Sequence, residues 1–360
     1  MLRIVFNFFG PPAPAWGALG RALARLCVGV GMACALGGCA WFDEQLRLRV
    51  FRATPGMPVG FPGLPAGADS YAVTVPGVRP GTQDRVQIWW LPHARPQAPT
   101  LLYLHGTFRN LYQNLHKINA LREAGFSVLA VDYRGWGDST PIIPSEATVY
   151  ADADTAWAEL TRRQPNPRKR VIYGHSMGGG VAVELASRKR HASDYGALIL
   201  ESTFTRACDV AAASGWLARL VAGLSTQRFD SQSKIGRVDA PVLMLHGDAD
   251  TTVPVALGRQ LRDAAPAGTR WVEIKGGSHS QLASDAPVLY QQALRALLEK
   301  LSLGIDVGPL RNPMPDRRRR VQAPMATSTI MTSALDSTAS IRGYRPSDFQ
   351  PQRQQNRRPE

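Results

Sequence analysis

Arg170-Val171-Ile172-Tyr173-Gly174-His175-Ser176-Met177-Gly178-Gly179-Gly180 decides the fold. A β-branched run leads into Gly-x-Ser-x-Gly, and a helical stretch through Ser187 follows it, the context of a strand that turns sharply into a helix around an exposed serine. Such a turn forces its middle residue into a strained conformation, and glycines two places to either side remove the Cβ atoms that would collide there. The hydroxyl of Ser176 is expected to stand clear of the strand end. A serine hydroxyl is a weak nucleophile at neutral pH, so this reading calls for an imidazole to take its proton and a carboxylate to orient that imidazole.

Both partners follow downstream. His246-Gly247-Asp248-Ala249-Asp250-Thr251-Thr252-Val253-Pro254 trails an apolar run, and Gly276-Gly277-Ser278-His279 trails the next one. The chain order Ser176, Asp250, His279 is that of hydrolases built on a sheet with helices on both faces. Strands are expected at Tyr71–Val75, Arg85–Leu91, Thr100–Leu104, Ser127–Val131, Arg170–Tyr173, Ala197–Leu200, Val242–Leu245 and Arg270–Ile274. Helical patterns over Tyr112–Glu123, Thr148–Arg162, Gly179–Lys189, Val255–Ala264 and Val288–Leu301 separate the later ones. Runs such as Val128-Leu129-Ala130-Val131 suit strands covered on both faces, hence a mostly parallel sheet whose first two strands form an antiparallel edge.

Together these motifs resemble the α/β-hydrolase superfamily, and within it the BEM46-like branch. The resemblance runs from about Phe61 to Leu301. It includes Leu104-His105-Gly106-Thr107, Asp132-Tyr133-Arg134-Gly135-Trp136-Gly137-Asp138-Ser139, the Ser176 turn, Glu201-Ser202-Thr203-Phe204, Phe229-Asp230-Ser231, the Asp250 loop and His279. It implies an eight-stranded, mostly parallel sheet flanked by helices with a small helical cap, and it assigns the acid to Asp250 rather than Asp248. Ser280 stands where the family often has Asn. The backbone N–H groups of Met177 and Thr107 are the expected oxyanion donors. His105, His175 and His246 read as residues that shape the loops around the site.

The implied chemistry is cleavage of a carboxylic ester or thioester through an acyl-enzyme, with a small-molecule or lipid-like substrate. A peptidase or acyltransferase using the same three residues is the alternative, followed by a non-catalytic envelope lipoprotein. Cys-x-x-Cys or His-Glu-x-x-His ligand spacing does not occur, and no metal or organic cofactor is implied. Between Thr205 and Lys234 lies an insertion with Trp216, Leu217, Leu220, Val221 and Leu224 at helical spacing, expected to cover the site, its apolar stripe packing against the body or, as in caps over a nucleophile, lining an acyl pocket.

Residues 1–38 read as an export signal and 39–69 as an anchor-proximal linker. The catalytic body occupies 70–304, with its cap at about 205–234, and 305–360 form a disordered basic tail. Arg21 and Arg25 precede the short apolar run Leu26–Leu36, and Leu36-Gly37-Gly38-Cys39 resembles the lipobox of bacterial lipoproteins. That resemblance implies lipidation at Cys39 and a membrane-anchored protein facing the periplasm. Three of the four cysteines fall in this leader, leaving Cys208, expected to be a small buried hydrophobe. The net charge of +14 is nearly all arginine spread along the chain, and no nucleic-acid-binding motif accompanies it, so no nucleic-acid partner is expected.

Overall fold

A computed structural model describes residues 38, 40–213 and 215–303. The expected export signal, the lipidation site Cys39 and the basic tail lie outside the described residues, apart from Gly38. The sheet has eight strands in the order β1-β2-β4-β3-β5-β6-β7-β8: β1 Asp69–Pro76, β2 Gln83–Leu91, β3 Thr100–Leu104, β4 Ser127–Asp132, β5 Arg170–His175, β6 Ala197–Glu201, β7 Val242–Gly247 and β8 Arg270–Ile274. β2 pairs antiparallel with β1 and with β4, and all later pairings are parallel.

The uninterrupted apolar runs have their explanation in two cores. Along β3, Leu102 and Leu104 enter one core while Leu101 and Tyr103 enter the other. β6 and β7 divide the same way, with Leu198 and Leu200 or Val242 and Met244 on the first face, and Ile199 or Leu243 and Leu245 on the second. Successive side chains of a strand point to opposite faces, so a strand covered on both sides has no polar alternation to show. The first face is covered by α3 (Glu146–Arg163), α4 (Met177–Ser187) and α8 (Val255–Ala264); the second by α2 (Leu111–Ala124) and α10 (Pro287–Leu303). Side chains set the starts of α2 and α3. Asn110 with Gln113, and Ser145 with Thr148, form reciprocal capping boxes that satisfy otherwise orphaned N–H groups.

The structure departs from the expected stand-off linker at 39–69. Residues 40–51 form a helix, α1, and Phe51 at its end is fully buried, edge-on to both Trp136 and Phe229. The segment after it is stitched to the body. Asn110 donates its side-chain amide to the carbonyls of Thr54 and Gly56, and Gly56 and Gly137 are joined by a backbone hydrogen bond. The Pro and Gly residues here shape a docked strap, because its backbone groups find partners on the body instead of in a helix or strand of their own. Phe51→Ala is therefore expected to destabilise the protein by about 3–4 kcal/mol, read as a lower urea midpoint. A freely hanging linker would show no change.

Candidate active site

The parallel strands deliver three loops to one edge of the sheet. Ser176 follows β5, Asp250 follows β7 and His279 follows β8. Ser176 sits at φ 56° and ψ −122°, a conformation costing about 1–3 kcal/mol for a residue with a side chain. Neighbouring backbone holds it there. A Cβ on Gly174 would meet the Gly178 carbonyl oxygen at 2.2 Å, and one on Gly178 would meet that of Leu104 at 2.1 Å. Two bonds brace the serine from the end of β6 and the loop after it: its N–H donates to the Glu201 carbonyl (2.9 Å), and its own carbonyl accepts the Thr203 hydroxyl (2.9 Å).

His279 lies between the other two residues, with Nε2 3.0 Å from Ser176 Oγ and Nδ1 2.7 Å from Asp250 Oδ2. Of the two aspartates in the loop after β7, it is Asp250 that faces the imidazole. Asp248 accepts the Gly276 N–H at 2.6 Å. Burial pushes the Asp250 carboxyl up, but hydrogen bonds from His246 and His279, with the backbone N–H of Val253, outweigh it and hold the group well below the usual carboxylate range. An ionised Asp250 only accepts, so Nδ1 of His279 carries the proton and Nε2 turns a lone pair toward Ser176. That arrangement can draw the proton from the hydroxyl as it attacks.

The loop expected to supply the second oxyanion donor lies against the elbow, since a Cβ on Gly106 would sit 3.0 Å from Ser176 Cβ. Thr107 follows directly. Met177 occupies the first position of α4, where a helix leaves its N–H groups without intrahelical acceptors. Three further histidines near the site hold loops. His105 bonds the Gly106 carbonyl (2.6 Å) and His246 that of Val253 (2.9 Å). His175 donates from Nε2 to the His279 carbonyl (3.0 Å). Burial, with the charges of Lys117 and His279 nearby, keeps the His175 ring neutral by depressing its pKa well below the usual value.

Two expectations about the cap are corrected. The insertion forms α5 (Ala207–Ala212), α6 (Trp216–Gly223) and α7 (Gln232–Ile235), but the apolar stripe of α6 is turned largely to solvent. Trp216, Leu217, Leu220 and Leu224 are 57–78% exposed. Helical spacing indicates that one face is apolar; which way that face turns depends on the loops that anchor the helix. Cys208 is half-buried, its thiol 3.8 Å from an Asp209 oxygen, rather than a core hydrophobe.

Beneath the site lies a charged pair to which the sequence reading assigned no role. Lys117, on the inner face of α2, bonds Glu201 at the end of β6, and both are almost wholly buried. The second carboxylate oxygen accepts the hydroxyls of Tyr173 (2.5 Å) and Tyr290 (2.8 Å). A signal was present: Lys117 falls in register with Leu111, Asn114, Ile118 and Leu121 on the buried face of α2. Glu201→Gln leaves the lysine charge without its partner in the interior and is expected to cost about 3–5 kcal/mol. The double variant Lys117→Met/Glu201→Gln should recover most of that loss in urea unfolding.

A sheet of this topology with a serine between β5 and α4 has the architecture of α/β-hydrolases. A family profile described as serine aminopeptidase, S33, matches residues 95–232. An uncharacterised protein of Mycobacterium tuberculosis is 33% identical over 267 residues, 73% of this chain and 90% of that protein. Lysophosphatidylserine lipase ABHD12 of Danio rerio is 33% identical over 211 residues, 53% of this chain and 54% of that protein, so the chain spans about half of it. Among solved structures, an esterase of Pyrococcus furiosus superposes with a TM-score of 0.53 at 17% identity, over 69% of this chain and 97% of that one. This chain belongs to the α/β-hydrolase superfamily and is a hydrolase.

Proposed function

We propose that the protein is a serine esterase of the BEM46-like branch that cleaves carboxylic ester or thioester bonds of acyl-chain or lipid-like substrates. The observation that carries this reading is the continuous hydrogen-bonded line from Asp250 through His279 to Ser176. In it, Ser176 Oγ attacks the acyl carbonyl while Nε2 of His279 takes its proton. The negative charge that develops on the carbonyl oxygen is met by the N–H groups of Thr107 and Met177, each worth about 3–4 kcal/mol to the transition state. His279 then protonates the leaving alcohol or thiol, and the acyl-enzyme is hydrolysed by water activated through the same imidazole. Asp250 stays ionised throughout and stabilises the transient imidazolium. The lysophosphatidylserine lipase among the relatives supports the lipid-like side of the substrate range.

Ser176→Ala is expected to abolish labelling by a fluorophosphonate probe and to lower kcat on p-nitrophenyl esters by at least about a thousandfold, with Asp250→Asn losing about 10⁴-fold. Equal labelling of wild type and Ser176→Ala would remove Ser176 from the reaction. Faster turnover of aminoacyl p-nitroanilides than of esters would favour a peptidase, the reaction that the matching family profile is named for. Because the pKa of Asp250 is depressed, the acid limb of kcat/KM against pH should be unaffected by its titration.

The same proposal extends to the leader. Leu36-Gly37-Gly38-Cys39 supports export with lipid attachment at Cys39, which would anchor the protein in a bacterial envelope, facing the periplasm. Labelled palmitate should enter the wild-type chain and be absent from Cys39→Ala; retention of label in that variant would defeat the assignment.

A further inference from the structure

Apolar side chains in contact with water are concentrated on one side of the molecule. Seven of the twelve large exposed hydrophobic residues among the described residues are Trp41 and Leu48 on α1, Phe108 beside Thr107, and Trp216, Leu217, Leu220 and Leu224 on α6 and its end. The last four follow each other at helical spacing and form a single stripe. Exposed apolar surface of this kind marks an interaction site more often than chance.

These residues share one rim because α1 runs along it. At one end Asp43 accepts the hydroxyl of Thr226, just past α6 (2.8 Å). At the other, the Phe51 carbonyl accepts the Phe108 N–H (3.5 Å), and the Arg52 guanidinium lies 4.9 Å from the centre of the Phe108 ring. Gly106, two residues before Phe108, is packed on Ser176. α1 therefore joins the cap to the mouth of the active site, and Cys39, the proposed site of lipid attachment, directly precedes it in the chain.

Charge selects the occupant. Arg219 is the sole charged residue of α6, and it is exposed, as are Arg228 beyond it, Arg49 on α1 and Arg52 just after α1. The neighbouring carboxylates are largely engaged: Asp43 with Arg47, Asp209 with the Thr205 hydroxyl and Arg206, and Asp230 with Arg206, leaving Glu44 as the exposed acid on α1. An apolar stripe ringed by arginines suits a bilayer whose headgroups are anionic, with the apolar face at the acyl boundary and the guanidinium groups on phosphates. A second copy meeting this face through its own would set arginine against arginine.

We propose that α6, the outer face of α1 and Phe108 form a surface that docks on an anionic lipid bilayer and turns the mouth of the Ser176 site toward it, so that acyl substrate is taken from the membrane. The choice of substrate rests on the esterase reading; the docking does not.

The test is hydrogen–deuterium exchange of the full chain with vesicles of phosphatidylcholine alone or mixed with phosphatidylglycerol. Exchange across 216–224 should slow several-fold on the mixed vesicles and much less on phosphatidylcholine. Leu217→Asp/Leu220→Asp should abolish that slowing even where the N-terminal segment still holds the chain on the vesicle. The same variant should hydrolyse a short water-soluble p-nitrophenyl ester at the wild-type rate but a vesicle-borne long-chain ester about tenfold more slowly. Exchange in α6 that vesicles leave unchanged would overturn the proposal, as would slowing that follows protein concentration without lipid, the sign of a second copy on this face. Lipid-dependent slowing in a wild-type protein that hydrolyses neither ester would uphold the docking and remove only the substrate.

Discussion

Everything at the active edge depends on one strained residue. Ser176 holds a positive φ only because β5 ends and α4 begins around it with backbone packed against backbone, at distances that leave no room for a Cβ on Gly174 or Gly178. The strain is contained by β6 and the loop after it, whose Glu201 carbonyl and Thr203 hydroxyl bind the serine's own peptide groups. Glu201 thus has two attachments, its backbone to the elbow and its carboxylate to Lys117, Tyr173 and Tyr290 in the second core. The position of the hydroxyl is thereby coupled to the packing of α2 and α10, which make no part of the nucleophile turn.

Electrostatics around the imidazole follow from burial with different partners. Asp250 is buried yet ionised, because two histidines and backbone donors aim at its oxygens. His175 is buried and neutral, because burial itself disfavours its cation and the charges of Lys117 and His279 nearby add to that effect. The neutral ring can still donate to the His279 carbonyl and so fixes the loop without adding a charge that would oppose protonation of the His279 imidazole. Three histidines within a short span of chain or space therefore carry different duties, and local sequence alone does not separate them.

The least legible region was α1. The Pro and Gly residues from Ala53 onward invited a linker reading of the whole span, although Leu46, Val50 and Phe51 already show a helical face. Burial of Phe51 depends on Trp136 and Phe229, which lie 85 and 178 residues further along the chain, and no local pattern announces such a pocket. The orientation of the cap is not legible locally for a related reason. Its apolar period was visible, but the side that the stripe presents is set by α5 and the loops at either end, and it faces outward.

By itself, the amino-acid sequence determined the eight strands and the alternating helices, with β3 and β8 bounded as expected and the others differing by one or two residues. It also determined the order Ser176, Asp250, His279, because strand propensity, glycine at the close approaches and apolar runs act over a few residues at a time. Tertiary structure alone decided that Lys117 and Glu201 are paired in the interior, that residues 40–51 dock as a helix, and which way the cap turns its apolar face. Those outcomes are set by contacts between segments far apart in the chain, where the energy of a buried charge or ring depends on partners that no local stretch contains.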